Sequence, residues 1–519
     1  MTVASVIAAR LAASGVQRAF GFPGGGSNLD LIEAFRAAGI EFVLTHTEVS
    51  AALMACAEAE LTGVPGVVVV GNGPGLASVV NGVAHAWLDR VPLLVISDRY
   101  TEDELSTTGH QILDQRALLA PVVKWSVTVD ASVSVERALD VALTTPCGPV
   151  HLDMPRTVGG EEARNADALA SPPAPASPPA PASPPAPASP PALVSTLAPT
   201  SLAAAADTLF AATRPAIVAG LEAARILSAG DLAALAERLG APVLTTYKAK
   251  GVLDEAHPLW AGIVTGGAIE APVLDAADTI LAVGLDPVEL LTKPWPWVEP
   301  IAVRPEDVPA LAARLPQLPA RDVPLLRDAL RIGSDSALTA WRIVEILDEE
   351  LPDDTIAAVD AGAHMFAATW FWRAHAPRRF LISNGLATMG FAVPAAVAAA
   401  RHGLAVAITG DGGMAYGAFE LETAVRLGAR VLVVVIDDAS LSLIRIKHEA
   451  RGHDRSSLDF RPVSFDAVAA GLGVASWVAD DEATLRRAVR EALSTGGPAL
   501  IDARCSGAEY ARTIEVVRG

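Results

Sequence analysis

The sequence predicts an α/β protein with three doubly wound parallel-sheet domains. Short apolar runs alternate with helix-like segments along most of the chain, and residues 67–70 and 92–96 are two of these runs. Turn residues bound such runs, a pattern that is typical of strands buried on both faces of a parallel sheet. In addition, a proline-rich segment separates a first block from the rest, and 51% of the 519 residues are hydrophobic, which is enough to fill several cores.

The first block covers residues 1–165. Its N-terminal residues have no basic start before their apolar part, so we expect a first helix there and not a signal peptide. The runs at 67–70 and 92–96 predict strands, and residues 75–89 between them predict a helix. In the linker that follows, residues 166–197, the hexapeptide SPPAPA is repeated. Because proline lacks an N–H group and fixes φ, this linker is expected to be a semi-rigid spacer.

The chain after the linker has the same alternation. We expect a middle domain at residues 198–325, with strands at 215–220 and 279–284 and a helix at 224–239. A last domain is expected at residues 335–519, so three doubly wound units are the simplest account. Two stretches, 61–88 and 380–400, have no charged residue, but Gly, Pro and Asn interrupt both. They predict buried strand–turn–helix elements and not membrane spans.

Charge and cysteine content restrict the class of protein. A formal net charge of −20 argues against nucleic acid or an anionic membrane as the main partner. The three cysteines, Cys56, Cys147 and Cys505, share no metal-ligand spacing. A sparse and odd set of this kind predicts reduced thiols and a cytoplasmic location.

The segment 404–444 carries the most chemical information. A predicted strand at 404–409 is followed by Gly410, Asp411, Gly412 and Gly413, then by a predicted helix at 417–426 and a strand at 431–436 that ends in Asp437-Asp438. Neighbouring parallel strands deliver their carboxyl ends to the same edge of a sheet, where ligands bind in open α/β folds. Glycines allow close approach of a ligand, and a helix N-terminus favours phosphate. Because Mg²⁺ prefers oxygen ligands, the segment predicts a magnesium–diphosphate site.

This pattern resembles the cofactor motif of the thiamine-diphosphate-dependent enzymes. The resemblance implies that Asp411, Asp438 and the main-chain carbonyl of Ser440 hold Mg²⁺. It further implies that the cofactor is bound by the residues around Asp411, namely Gly410, Gly412, Gly413 and Met414. The family usually has Asn-Asn where this chain has Asp437-Asp438, so an additional carboxylate lies beside the diphosphate.

The first block resembles the pyrimidine-binding domain of the same family. The matching segments are residues 20–25, 46–52 and 73–75, and the resemblance places Gly24 and Gly73 at the cofactor and the catalytic glutamate at Glu48. A carboxyl group in an apolar pocket has a raised pKa, so Glu48 could share a proton with the aminopyrimidine ring and thereby activate the cofactor. The segment 383–394 resembles the part of the family that wedges the cofactor into a bent conformation. In it Met389 is the wedging residue, and Ala387 stands where glycine is usual.

The resemblance is closest to the branch of acetolactate synthases and 2-keto acid decarboxylases. His110 and Gln111 look like the substrate-side loop of that branch, and both are candidate catalytic residues. The glycine run and the Arg-Phe-Asp-Asp segment of the flavin-binding members are replaced here by residues 220–223 and 285–288, so FAD is not expected. Lys447 matches the position at which the synthases carry a tryptophan over the substrate pocket.

The resemblance therefore implies an enzyme that forms or cleaves carbon–carbon bonds of 2-keto acids. Acetolactate-synthase-like carboligation is favoured over simple decarboxylation, because Gln111 cannot act as an acid at neutral pH. Decarboxylation and a cofactor-binding relative without turnover remain the alternatives, and the identity of the 2-keto acid stays open. A nicotinamide dehydrogenase is disfavoured, because no GxGxxG motif follows the predicted strands. The family also implies a homodimer or homotetramer.

Overall fold

The structure is a computed structural model of the full chain, and it describes residues 1–132, 135–164, 199–289, 295–319, 321–333, 337–454 and 457–519. The predicted proline-rich spacer at 166–197 lies outside the described residues. The chain divides into two compact units, residues 1–192 and 193–519.

The first unit contains a six-stranded parallel sheet with helices on its faces. Its strands are β1 Arg18–Phe22, β2 Glu41–Leu44, β3 Gly66–Val70, β4 Leu93–Arg99, β5 Trp125–Thr128 and β6 Val150–Pro155. Its helices are α1 Val3–Ala13, α2 Ser27–Ala38, α3 Glu48–Thr62, α4 Pro74–Leu88, α5 Glu102–Thr107, α6 Gln115–Leu119 and α7 Val135–Leu143. The strand order is β2-β1-β3-β4-β6-β5. Every residue of β3 is buried, as its unbroken apolar sequence predicts.

Helices α3 and α4 pack closely against each other beside the sheet. A Cβ atom on Gly82 would lie 2.4 Å from the Cβ of Ala52, so only glycine allows this approach. The side chain of Thr47 accepts a hydrogen bond from the backbone N–H of Ser50 and so fixes the start of α3. Glu48 is consequently the first residue of a helix that is anchored at both its N-terminus and its buried face.

The second unit contains two parallel sheets, of which the first has five strands. These strands are β7 Pro215–Ala219, β8 Val243–Thr245, β9 Trp260–Ile263, β10 Thr279–Val283 and β11 Ile301–Val303, in the order β11-β10-β7-β8-β9. The accompanying helices are α8 Leu202–Ala211, α9 Leu221–Ile226, α10 Ala229–Leu239, α11 Ala271–Leu274 and α12 Val308–Arg314.

The last sheet has six strands. They are β12 Ile356–Val359, β13 Phe380–Ile382, β14 Ala405–Gly410, β15 Val431–Asp437, β16 Ala475–Ala479 and β17 Ala499–Arg504. The helices are α13 Ala340–Glu350, α14 His364–Phe371, α15 Ala392–Ala399, α16 Asp411–Gly417, α17 Glu420–Leu427, α18 Ser442–Glu449, α19 Phe465–Gly471, α20 Glu482–Thr495 and α21 Tyr510–Arg518. The order β13-β12-β14-β15-β17-β16 repeats the strand order of the first unit.

A buried ion pair joins the two sheets of the second unit. Lys250 Nζ lies 2.6 Å from Glu255 Oε2, and both side chains are inaccessible to solvent. The ammonium group also donates to the carbonyl of Thr369 on α14, at 2.9 Å. Since a buried charge requires a full set of partners, this pair is no evidence of a large net gain in stability.

The predicted fold class is confirmed, whereas two predicted helices are wrong in their limits. The helix expected at 224–239 is two helices, α9 and α10, because Ser228 and Asp231 form a capping box that starts a new helix. The helix expected at 417–426 is preceded by α16, which already begins at Asp411. The predicted domain boundaries stay predictions.

Candidate functional site

The carboxyl edge of the last sheet surrounds a cavity of about 240 Å³. The loops after β12, β14 and β15 form most of its wall, because the strand order reverses direction between β12 and β14 and opens a crevice there. Eight residues that the sequence predicted for cofactor or metal binding line this cavity: Ala387, Met389, Gly410, Asp411, Gly412, Gly413, Asp438 and Ser440. Met414 is wholly buried, and it is not one of the described residues that line the cavity.

Asp411 is the most unusual side chain of the cavity. Only 8% of its surface is exposed. Its Oδ1 accepts a hydrogen bond from the N–H of Gly412 at 2.7 Å, while Oδ2 is buried without a hydrogen-bond partner among the described residues. Burial, with Asp438 and Asp437 nearby, raises the pKa of Asp411 to about 7. A buried carboxylate oxygen without a donor is strongly disfavoured unless the group takes up a proton or a cation neutralises it.

Asp438 is the second acidic residue in the wall. The hydroxyl of Ser442 donates to its Oδ2, and burial raises its pKa to about 6. The neighbouring Asp437 accepts from the N–H of Ala439 at 3.0 Å and is not among the residues that line the cavity. The additional carboxylate of the Asp437-Asp438 pair is therefore used within the turn that follows β15.

These residues fit a magnesium ion. Within the described parts of the chain, no group of three or more His, Cys, Asp or Glu side chains could hold a metal ion. Two carboxylates, Asp411 and Asp438, together with a main-chain oxygen and oxygens of a diphosphate do not require such a group, since Mg²⁺ is typically bound by one or two carboxylates and substrate phosphates. The unpartnered Oδ2 of Asp411 is the observation that supports this fit.

Glycines allow close packing in the wall of the cavity. A Cβ atom on Gly412 would lie 2.9 Å from the Cε of Met389, and one on Gly413 would lie 2.3 Å from Asp360 Oδ2. Ala387 has φ of 53°, in the left-handed region that glycine adopts more easily. The position at which the family usually has glycine is thus one where the backbone conformation favours glycine.

Two functional candidates at this edge of the last sheet were not predicted from the sequence. His364 lines the cavity, is 5% exposed, and its Nε2 has no hydrogen-bond partner among the described residues. Burial lowers the pKa of His364 to about 4, so the imidazole is neutral and can donate through one nitrogen. Asp360 accepts from the N–H of Phe391 at 3.0 Å and from the hydroxyl of Thr409 at 2.8 Å, and it thereby holds the turn after Met389. Both follow strand β12, and their position at the carboxyl end of a strand is the signal that could have found them.

The first unit carries the predicted catalytic glutamate at its own carboxyl edge. Glu48 is half-buried, and burial raises its pKa. Its Oε1 lies 3.4 Å from the point that a Cβ atom on Gly75 would occupy. The start of α3 is therefore directly beside the start of α4. The carboxyl group can hold a proton at higher pH than an exposed glutamate does.

The predicted loop residues Gly73 and Gln111 lie against each other. A Cβ atom on Gly73 would be 2.6 Å from the carbonyl oxygen of Gln111, and Gly73 itself has φ of 60°. Gln111 is exposed and adopts a left-handed conformation, with φ of 58°, and His110 is exposed beside it. The structure thus brings Gln111, Gly73 and Glu48 to one edge of the first unit.

The loop after β1 is held by a buried carboxylate. Asp98, at the end of β4, accepts from the N–H groups of Gly26 at 3.0 Å and Asn28 at 2.9 Å. Asn28 Oδ1 in turn accepts from the N–H of Gly24 at 2.9 Å. A Cβ atom on Gly24 would meet Asp98 Oδ2 at 2.5 Å, so the predicted cofactor residue Gly24 is packed against this carboxylate.

Lys447 is exposed on α18, and it is not among the described residues that line the cavity.

No helix within the described residues is both long and apolar enough to cross a membrane. The roles predicted for individual site residues stay predictions, since their placement shows proximity and not activity.

Comparison with known protein families identifies the class of this protein. Three family models match the chain: "Thiamine pyrophosphate enzyme, N-terminal TPP binding domain" over residues 1–118, its central domain over 202–328, and its C-terminal TPP binding domain over 360–503. The chain belongs to the thiamine pyrophosphate enzyme family, thiamine pyrophosphate being the same compound as thiamine diphosphate.

Relatives within the family include synthases and decarboxylases. The chain is 30% identical to a probable 2-ketoarginine decarboxylase of Pseudomonas aeruginosa, over 97% of this chain and 94% of that protein. It is 26% identical to an acetolactate synthase of Bacillus subtilis, over 95% of this chain and 91% of that protein. A solved structure of similar fold is the thiamine diphosphate-dependent 4-hydroxybenzoylformate decarboxylase of Rhodococcus jostii RHA1, with a TM-score of 0.82, 21% identity and coverage of 98% of this chain and 100% of that one. The predicted branch of the family is confirmed by these relatives.

Proposed function

We propose that the protein is a Mg²⁺-dependent thiamine-diphosphate enzyme that forms or cleaves carbon–carbon bonds of 2-keto acids. The observation that carries the proposal is the buried, unpartnered carboxylate oxygen of Asp411 in a cavity that Asp438, Met389 and Ala387 also line. This arrangement is suited to a cation and an anionic cofactor and has no evident use in the apoprotein. The relatives named as acting on 2-keto acids support the substrate class.

In the second unit the residues bind and orient. Asp411 and Asp438 would hold Mg²⁺ together with the main-chain carbonyl of Ser440. The imidazole of His364 is neutral, and its one N–H is used towards the backbone of Asp360, so the unpartnered Nε2 can accept a hydrogen bond from a donor in the cavity. Met389, held by the turn that Asp360 fixes, presents an apolar surface beside Gly412.

In the first unit Glu48 would control a proton. Because burial raises its pKa, the carboxyl group keeps its proton to higher pH than an exposed glutamate does, and a protonated carboxyl can share its proton with a ring nitrogen of an aminopyrimidine. Bound thiamine diphosphate supplies the carbon nucleophile and the electron sink that 2-keto acid chemistry needs. Gln111 and His110 lie on the exposed side of the same loop cluster, where a substrate can reach them.

Carboligation is the first candidate reaction and decarboxylation is the second. The amide of Gln111 can orient a substrate by hydrogen bonding, but it cannot deliver a proton at neutral pH, and proton delivery is what the release of an aldehyde requires. His110 could supply that proton. The relative with 30% identity is named a probable 2-ketoarginine decarboxylase, and both points support decarboxylation as the second candidate.

Product analysis by mass spectrometry tests this proposal. Purified protein with thiamine diphosphate and Mg²⁺ would be given pyruvate, benzoylformate and 2-ketoarginine, each with and without acceptor aldehydes or keto acids. An acyloin or acetolactate product establishes carboligation, and a free aldehyde establishes decarboxylation. Absence of any product despite measured cofactor binding would favour a cofactor-binding relative without turnover.

Two variants make the product analysis specific for Glu48. Glu48→Gln keeps the shape of the side chain but removes the acid, and it should abolish product formation. Glu33→Gln changes an exposed glutamate of α2 in the same unit and should leave product formation unchanged. Equal activity of Glu48→Gln and wild type would show that Glu48 does not activate the cofactor.

We further propose a homodimer or homotetramer. Two large side chains near the Asp411 motif are strongly exposed, Tyr416 at 71% and Phe419 at 66%, and this exposure supports an interaction surface at that end of the unit. In the family the first domain of one subunit faces the last domain of another. Mass photometry would show a single species of about 54 kDa if the chain stays a monomer. The cytoplasmic location stays a prediction.

A further inference from the structure

Gln115 is a buried amide at the junction of several loops of the first unit. It is the first residue of α6 and is 5% exposed. Its Oε1 accepts a hydrogen bond from the backbone N–H of Gly73 at 2.8 Å. Its Nε2 donates to Asp153 Oδ1 at 2.6 Å and to the carbonyl oxygen of Asp98 at 2.9 Å, and Ser97 Oγ lies 3.2 Å away.

The partners fix the orientation of this amide. The N–H of Gly73 can only donate, so the oxygen of the amide must face it. The carbonyl of Asp98 can only accept, so the NH₂ group must face that side. Both amide protons are used by the two shorter contacts, to Asp153 and Asp98. No other side chain of similar size presents one acceptor and two donors in this arrangement.

Asp153 belongs to a larger buried network that keeps it in place. The hydroxyl of Ser97 donates to Asp153 Oδ1 at 3.0 Å and also lies 2.8 Å from the Nε2 of His151. Arg99 Nε is 3.7 Å from Asp153 Oδ2. Because β4 and β6 carry these residues side by side, the position of Gln115 is tied to the middle of the sheet.

The amide oxygen connects this rigid network to the candidate catalytic edge. A Cβ atom on Gly73 would lie 2.6 Å from the carbonyl oxygen of Gln111, and one on Gly75, two residues later, would lie 3.4 Å from Glu48 Oε1. Gly73 has positive φ and no side chain with which to hold its turn. The hydrogen bond from its N–H to Gln115 is therefore the restraint that links the turn at residues 71–75 to the loop at residues 110–115.

We propose that Gln115 is a positioning residue that fixes the turn at Gly73 and, through it, the relative positions of Gln111 and Glu48. The first part concerns the folded protein alone. The catalytic consequence rests on the proposed function, in which Glu48 and Gln111 act on the cofactor and the substrate.

Amide hydrogen exchange tests the first part without any cofactor. In Gln115→Ala and in Gln115→Met, which retains more of the volume, the N–H of Gly73 loses its acceptor. The peptide covering residues 71–75 should exchange about 10-fold faster than in wild type, as expected for the loss of one buried hydrogen bond. Gln317→Ala removes an exposed glutamine of the other unit and should leave this peptide unchanged. Unaltered exchange in both Gln115 variants would overturn the proposal.

Steady-state kinetics and cofactor titration test the second part. Displacement of groups that position a reaction costs about 10- to 100-fold in kcat. We expect such a loss in Gln115→Met, with a smaller weakening of thiamine diphosphate binding, because Gly73 is placed at the cofactor whereas the diphosphate is proposed to bind in the other unit. Faster exchange at 71–75 with unchanged kcat would overturn the catalytic part. Wild-type protein that turns over no 2-keto acid would instead refute the proposed function, and the exchange experiment would still decide the first part.

Discussion

Glu289 offers a test of how burial sets the pH dependence of stability. Glu289 is 3% exposed. Its Oε2 accepts hydrogen bonds from the backbone N–H groups of Leu221 at 2.8 Å and Asp286 at 3.0 Å. Its Oε1 accepts a hydrogen bond from the hydroxyl of Thr246. Burial raises the pKa of Glu289 from 4.5 to about 7 despite these donors. The folded protein therefore favours the protonated form. The contribution of Glu289 to stability is greatest below the unfolded-state pKa of 4.5, and it is lost as the pH rises through the folded-state pKa of about 7.

The substitution Glu289→Gln should remove this loss of stability. An amide can keep its oxygen towards Leu221 and Asp286 and donate from its nitrogen to Thr246, so the packing is retained. A pKa rise from 4.5 to about 7 corresponds to roughly 3 kcal/mol of unfolding free energy, at about 1.4 kcal/mol for each pKa unit. The variant should resemble wild type near pH 5 and be more stable above pH 7.

Thermal unfolding monitored from pH 5 to pH 8 measures this effect. The difference in Tm between Glu289→Gln and wild type should grow with pH by about 5 °C over this range. Glu306→Gln, at an exposed position of the same domain, should show no growing difference. A Tm difference that is the same at pH 5 and pH 8 would refute the reasoning, because it would mean that Glu289 does not titrate in this window.

Three further predictions concern the cavity of the second unit. Ala387→Gly should raise the unfolding free energy by up to about 1 kcal/mol, because glycine tolerates the positive φ; a lower Tm would contradict this. Gly413→Ala should lower the unfolding free energy by about 2 kcal/mol, because the new methyl group meets Asp360, whereas Gly471→Ala meets nothing within 4 Å and should be tolerated in the same denaturant titration. Asp411→Asn should weaken Mg²⁺ binding by about 100-fold in calorimetric titrations with thiamine diphosphate, and an unchanged Kd would exclude Asp411 as a ligand.

The sequence was sufficient for the parts of the molecule that local pattern determines. Uninterrupted apolar runs identified buried parallel strands, and residues after the ends of β14 and β15 were expected to meet at one edge. Asp411 and Asp438 do lie in the wall of one cavity there. Even the break between α9 and α10 had a local signal, since Ser228 and Asp231 have the spacing of a capping box.

The residues that the sequence analysis missed depend on contacts between distant segments. Gln115 receives a hydrogen bond from Gly73, 42 residues earlier in the chain, and donates to Asp153, 38 residues later. Nothing in its immediate neighbours distinguishes it from Gln111, which the family resemblance highlighted. His364 likewise becomes noticeable only when its buried, unpartnered nitrogen is seen in the cavity wall. Such roles arise from tertiary packing, which periodicity and propensity do not encode.

The proposed function has one structural requirement that reaches beyond a single unit. Glu48 belongs to the first unit and Asp411 to the second, and both are proposed to act on the same cofactor molecule. If the first unit of one subunit faces the second unit of another, each active site uses one residue from each chain. Two variants that are inactive alone would then restore activity when they form mixed dimers.

Complementation between Glu48→Gln and Asp411→Asn subunits tests this central claim most directly. The two variants would be co-expressed with different tags, and product formation from a 2-keto acid that the wild type turns over would be measured in the mixture. Random dimers should regain about one quarter of wild-type activity, because half of them are mixed and each mixed dimer has one intact site. A mixture of Asp411→Asn and Asp438→Asn, both in the second unit, should regain none. Mixed dimers of Glu48→Gln and Asp411→Asn, isolated by both tags but still inactive, would contradict the account.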